Sequence, residues 1–478
     1  MKMRHWLANL FRGRTTPMLL PGTATFSVVT KSPGSWPSDR ARVTIVSAPD
    51  AARSEFAVFH TPCFTPTPEA LHHLAAAIVQ HPNADFLFGD EMTPAGPWHK
   101  PGWSSALLLA QPYVVNLFAV RTELLAGTLS RVAAPTLDLY ELALLATAKA
   151  RSVVHVPHVL GSTSQPHGLT EGHATAALVA ANAAGLQATI TRHPDAPVLR
   201  VSVRPRRPQA ITILVPTRDR IDLMRTCIDS VLPTIGRRDV RILIVDNGSI
   251  EPATLAQFAA WCRDPRITVL RDDAPFDYSA LMNKAVAACQ TPLVLLLNND
   301  TQVISPHWLD ELAGWLDLPG VGAVGAKLYH GDDTVQHAGV LVGVGGVASH
   351  GHKNFARSHP GYHGLLHSVR DVSAVTGACL LTRRDLWLEV GGMDPELRVA
   401  YNDVDFCLKL RARGHRIVWT PLAEIYHFEG KSRGKDKRGQ TRFEREIASF
   451  QERWQHVIAA DPFYNPNLSV RHVDYRLR

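Results

Sequence analysis

The sequence predicts an α/β protein: a mostly parallel, Rossmann-like sheet flanked by helices, preceded by a smaller, diverged α/β domain. Three observations predict it. From about residue 208, short β-rich apolar runs alternate with helical segments. Several of those runs end on polar residues. The residues before them read as a shortened copy of those after.

The runs come in order. ITILVP (211–216), RILIVD (241–246), ITVL (267–270) and PLVLLL (292–297) have the composition of strands covered on both faces. Between them, Leu223, Cys227 and Val231, then Leu255, Phe258 and Ala259, then Tyr278, Leu281, Ala285 and Ala288 recur at helical spacing. Alternating strand and helix implies parallel strands joined by right-handed crossovers.

In LLLNNDTQVISP (295–306), three leucines run straight into Asn298, Asn299 and Asp300. One such ending is an ordinary turn, because Asn and Asp bond their own backbone. Here the first strand also ends on Thr217, Arg218 and Asp219, and the second on Asp246, Asn247, Gly248 and Ser249. In a parallel sheet these tips share one edge, where open α/β sheets bind ligands.

The internal repeat is visible at constant shifts. LDLYELALL (137–145) lies under YNDVDFCLK (401–409) and VVHVP (153–157) under IVWTP (417–421), both at 264; TPEALHHLA (67–75) lies under SPHWLDELA (305–313) at 238. At those shifts His60, Thr61 and Pro62 oppose Asn298, Asn299 and Asp300, and Leu139 opposes Asp403. The first copy therefore lacks the carboxylates, and too little chain precedes it for the two strands that open the second. It reads as a structural or acceptor-presenting domain, joined through the basic, Pro-rich VRPRRPQA (203–210).

Composition narrows the class. At 478 residues, two or three domains are expected. With 45% hydrophobic and 19% charged residues the chain is globular. A net charge of +7 favours acidic partners, whether nucleic acid, nucleotide diphosphates or an anionic membrane face. Six cysteines without regular spacing, no run of ~18 apolar residues and no cleavable signal predict a reduced, cytosolic protein. At the start, Met3, Trp6, Leu7, Leu10 and Phe11 fall at helical spacing beside Lys2, Arg4, Arg12 and Arg14. Such a segment lies on an anionic membrane surface, packs as a short helix on the body or is a frayed terminus.

Three constellations carry chemistry. VDNGS (245–249) with PFDYSALMNKAV (275–286), which includes Asn283, places a carboxylate and a flexible turn where a base or ribose can bond; a plain turn and helix cap is the alternative. Asp300 offers one carboxylate to a hard divalent cation, so substrate phosphates must supply the remaining charge and binding without nucleotide should be weak. In GGMDPELRVAYNDVDFCLKLRARG (391–414), Asn402, Asp403 and Asp405 enter a helix whose Phe406, Leu408 and Leu410 pack inward. A first-turn acid is favoured by the helix dipole and, where it faces a cleft, can serve as a general base. Asp394 and Glu396 sit in a turn-like setting nearby.

TILVPTRDR, LIVDNGS, LRDDAPFDYSALMNKAV, LLLNNDTQVISPHWLDEL, VGAVGAKL, QHAGV, VSAVTGACLLTRR, GGMDPEL, YNDVDFCLKLRARGH and YHFEGKSRG, in this order, resemble the inverting family 2 glycosyltransferases of the GT-A fold. The likeness is strongest to the bacterial branch that builds O-antigen and other surface polysaccharides, including rhamnosyltransferases. It is dense over about 208–465 and faint before. It implies a basic segment over 1–40, a degenerate GT-A-like domain over 41–200 and a catalytic domain over 208–470. The donor nucleotide would lie against Thr217, Asp219, Asp246, Asn247, Asn283, Asn298 and Asn299. Asp300, in the position of the family's DxD motif, would hold Mg²⁺ or Mn²⁺; His427 would add a metal ligand or a contact to the diphosphate. Asp403 would be the base, in a pair that the family writes Glu-Asp. Asparagine replaces the first acid in both motifs, which puts the strength of metal binding in question.

The resemblance further implies a nucleotide-sugar donor, a glycan or lipid-linked glycan acceptor, no nucleic acid, and a cytoplasmic enzyme with peripheral contact to the inner membrane. Lys431, Arg433, Lys435 and Lys437 are expected to close over the diphosphate or to form a solvated loop. His330, His337, His350, His352, His359, His363 and His367 are expected as loop residues lining the acceptor cleft. Trp419 and Tyr426 can stack on sugars or pack in the core. Two other readings stay open. A sugar-1-phosphate nucleotidyltransferase would carry a Gly-rich, basic signature near its start that is absent here. A non-catalytic, sugar-nucleotide-binding scaffold of a polysaccharide assembly complex has Asp300 and Asp403 against it.

Overall fold

The computed structural model describes residues 24–29, 43–46, 52, 54–129, 138–165, 168–236, 238–428 and 439–478. The basic start and the lysine-rich GKSRGKDKR stretch lie outside the described residues. Among these, no helix is long and apolar enough to cross a membrane. The chain divides into two compact units, Met1–His99 with Val114–Pro166, and Lys100–Tyr113 with His167–Arg478.

The second unit holds a mixed, ten-stranded sheet. In chain order its main strands are β1 (Ile211–Thr217), β2 (Val240–Asp246), β3 (Ile267–Arg271), β4 (Leu293–Leu297), β5 (Thr301–Val303), β6 (Val321–Tyr329), β7 (Cys379–Arg383) and β8 (Arg416–His427). Across the sheet they run β3-β2-β1-β4-β7-β6-β8-β5. The four strands expected from sequence, β1 to β4, are all present and mutually parallel. Beyond β4 the sheet turns mixed: β7 is antiparallel to both β4 and β6, β8 runs parallel to β6, and β5 antiparallel to β8. β4 is buried at every residue, as its unbroken leucine run requires.

The helices α1 (Ile221–Ile235), α2 (Pro252–Trp261), α3 (Tyr278–Ala288), α4 (Trp308–Trp315), α5 (Asn402–Ala412) and α6 (Gly439–Ala459) flank this sheet. In α1, Leu223, Cys227 and Val231 face inward. In α2 the buried stripe is Thr254, Phe258 and Trp261, and Leu255 is 42% exposed. The spacing of Leu255 and Ala259 thus gave the helix correctly and its face wrongly. Helix α5 is buried almost all round; Asp405 inside it accepts from Arg453 Nη1 at 2.8 Å and Trp454 Nε1 at 2.9 Å.

A boundary at 208 falls inside this unit. Leu199, Val201 and Val203 alternate inward in a hairpin, Gln187–Arg192 with Leu199–Arg204. Glu311 of α4 accepts the Val203 N–H at 3.0 Å, and Asp317 accepts that of Arg206 at 2.7 Å. The arginines dominate the composition of VRPRRPQA, while Leu199, Val201 and its own first residue, Val203, alternate inward and dock the hairpin.

The first unit's sheet orders its strands Val43–Val46, Phe26–Val29, Phe56–His60, Leu117–Arg121, Phe86–Thr93, Val153–Thr163, Phe64–Pro66. The senses between neighbours are parallel, parallel, antiparallel, antiparallel, parallel, antiparallel. The path from β2 to β5 in the second unit shows the same succession. The two opening strands, expected to be missing for lack of chain, are present because each needs only four residues.

This pairing moves the register of the comparison by one. His60 pairs with Leu117 as Leu297 pairs with Cys379. The Thr61 N–H bonds Asn116 O at 3.1 Å as the Asn298 N–H bonds Ala378 O at 3.1 Å. Phe64 pairs with Thr163 as Thr301 pairs with His427. Cys63, not Pro62, therefore stands where the second unit has Asp300, and Thr163 where it has His427.

Candidate active site

The ends of β1, β2 and β4 meet in one hydrogen-bonded rim. The Asn247 N–H bonds Thr217 O at 2.9 Å, and Asn299 Nδ2 donates to Thr217 Oγ1 at 2.9 Å. Asp219, left-handed at φ 54°, donates its N–H to Ser249 Oγ at 2.7 Å. Its Oδ1 accepts the N–H groups of Ile250 and Glu251 at 2.9 and 2.8 Å, just before α2. Asp246, 1% exposed, accepts from Ser249 N–H and from Arg271 Nη1, both at 2.9 Å. The Asn247 amide donates to Asp272 O and Ala274 O. Thr217, Asp219, Asp246, Asn247 and Asn299 are thus brought together, largely by bonds to one another that fix the rim's shape.

Asn283 does something else. Its Oδ1 accepts from Met393 N–H and Trp387 Nε1, and its Nδ2 donates to Met393 O at 2.7 Å. It clamps the GGMDP turn, where Gly392 at φ +65° lies so close to this amide that a Cβ would overlap it. Asp394 pairs with Arg453 at 2.5 Å and accepts the Glu396 N–H, completing the turn.

Beyond Thr217 the rim continues into the acid–imidazole corner. Asp300, 3% exposed, has Oδ1 at 3.1 Å from His427 Nε2, and Asn298 Nδ2 lies 3.2 Å from the same nitrogen. His427 Nδ1 is 2.8 Å from Gln336 Oε1. A carboxylate and an imidazole nitrogen side by side, both lone-pair donors, form a set that suits a hard or borderline divalent cation. Among the described residues no group of three or more His, Cys, Asp and Glu is arranged so that it could hold a metal ion by itself. A cation here would complete its shell with amide, phosphate or water oxygens.

Asp403 reaches the same rim through one connection. Its Oδ2 accepts the Gly377 N–H at 2.8 Å, and Ala378, the next residue, accepts the Asn298 N–H. Residues 376–378 lead into β7, which pairs antiparallel with β4, so the start of β7 must lie beside the end of β4. The sequence reading missed Gly377 and Gln336. TGACL and QHAGV were visible as motifs, but nothing in their composition signals a ligand.

A Cβ at Gly377 would meet Asp403 Cβ and Tyr278 Oη, each at 3.4 Å. Alanine fits at ordinary contact, whereas a branched side chain must push the carboxylate aside. Gly377→Val is expected to lower turnover by about 10²-fold, as an ångström of misplacement does, and Gly377→Ala far less. Equal turnover in both variants would remove Gly377 from the site.

The histidines are not loop residues lining a cleft throughout. His337 and His352 are fully buried, and Trp419 is buried under Arg370 with its indole N–H on Ala326 O. His352 Nε2 accepts the Tyr362 N–H at 3.0 Å and its ring stacks on Tyr475. Burial holds its pKa well below the ordinary value. The folded protein therefore binds fewer protons there than the unfolded chain, so stability is complete above about pH 6.5 and falls as pH drops below it. Urea midpoints should decline below that pH, and less steeply in His352→Gln; an unchanged slope refutes the assignment. Tyr426 is tied by its hydroxyl to Asp333 Oδ1 at 2.6 Å.

Residues 208–444 match the family described as glycosyltransferase like family 2, so the chain carries a glycosyltransferase family 2 domain. Three relatives add detail. An uncharacterized protein of Sinorhizobium fredii is 38% identical over 440 residues, 86% of this chain and 48% of that one. The O-antigen biosynthesis protein RfbC of Myxococcus xanthus is 34% identical over 452 residues, 90% of this chain and 35% of that one. The N-acetylglucosaminyl-diphospho-decaprenol L-rhamnosyltransferase of Mycobacterium tuberculosis is 28% identical over 221 residues, 42% of this chain and 70% of that one. The chain spans about half or less of the length of the two relatives that match most of it.

Proposed function

We propose that the second unit transfers a sugar, with inversion, from a nucleotide-sugar donor to a hydroxyl of a growing, lipid-linked surface polysaccharide. The observation that carries this reading is the tie of Asp403 and Asn298 to consecutive residues, Gly377 and Ala378. The base and the diphosphate corner thereby share one edge.

Asp403 accepts the proton of the acceptor hydroxyl on a carboxylate held by Gly377 N–H and Val404 N–H. The freed oxygen attacks the anomeric carbon from the face opposite the nucleotide. The bond from that carbon to the diphosphate breaks, and its electron pair leaves on the phosphate oxygen. Asp300 and His427 would hold Mg²⁺ or Mn²⁺, which supplies positive charge against the departing diphosphate. Thr217, Asp246 and Asn247 shape the floor on which the nucleoside rests, and Asn298 and Asn299 the wall beside the phosphates. The names of two relatives support O-antigen as product class and rhamnose as the sugar. A lipid-linked acceptor places the work at the cytoplasmic face of a membrane, where a net charge of +7 favours binding. The first unit is a diverged copy of the second that has lost the acid–imidazole corner.

The test is a screen of nucleotide sugars for thermal stabilisation, followed by NMR of the product's anomeric configuration. Inversion with a deoxythymidine or uridine diphosphate sugar is the expected result. Retention, or synthesis of a nucleotide sugar from nucleoside triphosphate and sugar phosphate, would overturn the proposal.

A further inference from the structure

Gln336 opens QHAGV, a motif to which the transfer chemistry gives no task. It lies in a three-residue strand, Val335–His337, paired antiparallel with β6. Its side chain is buried, with Oε1 at 2.8 Å from His427 Nδ1. An amide oxygen only accepts, so the imidazole must place a hydrogen on Nδ1. In the neutral ring the lone pair then sits on Nε2, where it accepts from Asn298 Nδ2 at 3.2 Å next to Asp300 Oδ1, and a cation entering there takes the place of that donor. With the hydrogen on Nε2 instead, an N–H would point at the carboxylate and block the position a cation needs. A buried partner on the far nitrogen is the usual way proteins choose a histidine's ligating atom.

We propose that Gln336 is a positioning residue: its carbonyl holds the His427 hydrogen on Nδ1 and so presents Nε2, beside Asp300, to a divalent cation. This rests on the cation reading above, and the experiment separates the two. Heteronuclear NMR of histidine-labelled, cation-free protein, with His427→Gln to assign the signal, reads the tautomer directly. Nδ1–H in the native protein, shifting toward Nε2–H in Gln336→Met, is expected; Nε2–H in the native protein overturns the proposal. Calorimetry with Mn²⁺, alone and with UDP, dTDP or GDP, supplies the second measurement. Gln336→Met is expected to weaken Mn²⁺ about 10- to 100-fold, and Gln336→Glu, whose carboxylate also accepts from Nδ1–H, to recover most of that loss. Native affinity in a folded Gln336→Met overturns the proposal. Should that variant fail to fold, the native tautomer and the Gln336→Glu affinity decide. A native protein that takes no Mn²⁺ removes the cation reading and the ligand half of the proposal. The tautomer shift would then still establish that Gln336 sets the ring.

Discussion

Asp403→Asn is expected to cut sugar transfer by about 10²- to 10⁴-fold while leaving the fold and donor binding intact. The asparagine keeps an oxygen for the Gly377 N–H, which Asp403 Oδ2 now accepts at 2.8 Å, and so preserves the start of β7. It gives up the Val404 N–H bond to Asp403 Oδ1, a contact between neighbouring residues whose loss leaves the backbone ladder of α5 in place. What it loses is the ability to take a proton, and with that the route by which the acceptor hydroxyl becomes a nucleophile. Single-turnover transfer from a nucleotide sugar, with donor affinity measured by calorimetry, separates the two effects. Transfer within tenfold of the native rate would mean that another group, or water, does the deprotonation. Loss of donor affinity together with rate would mean that Asp403 supports the donor pocket instead.

The sheet's first half was legible because its strands are continuous Leu, Ile and Val runs ending in Asn, Asp and Thr, and a parallel sheet sends such ends to one edge. The second half was harder to read. β6 and β8 carry Gly325, Lys327, Thr420 and Glu424 among their apolar residues, and only pairing, not pattern, makes them central. The convergence of Thr217, Asp246, Asn299 and Asp300 followed from strand order. The place of Asp403 did not, because it depends on β7 returning antiparallel to β4, a reversal that the alternating pattern conceals. Asn283 was misplaced for a related reason. It lies on α3 close in sequence to donor-like residues, yet its amide faces the GGMDP turn. The one-residue slip between the two units arose because β-pairing, which sets register, is invisible to an ungapped comparison of helices. Gln336 was unreadable: a buried amide earns its role only from the imidazole across from it.

That register supplies the sharpest test of the cation corner, since the first unit's sheet has the same strand senses and pairs residues of a different kind at the matching positions. Where the second unit has Asp300 and His427, the first has Cys63 and Thr163, with Thr163 Oγ1 at 3.9 Å from Cys63 Sγ. A thiol and a hydroxyl offer no carboxylate charge and no imidazole lone pair to a hard cation. Calorimetry should therefore find one Mn²⁺–nucleotide site per chain. Writing the first unit's residues into the second, Asp300→Cys with His427→Thr, is expected to abolish that site and to lower transfer about 10³-fold, the several kcal/mol that a Lewis acid supplies to a departing diphosphate. Chelator should do the same to the native protein and nothing further to the double variant. If the double variant transfers sugar at the native rate, or if chelator leaves the native rate untouched, the leaving group is stabilised by the rim's own hydrogen bonds and basic residues. Asp300 and His427 would then be a structural ion pair between the end of β4 and the end of β8.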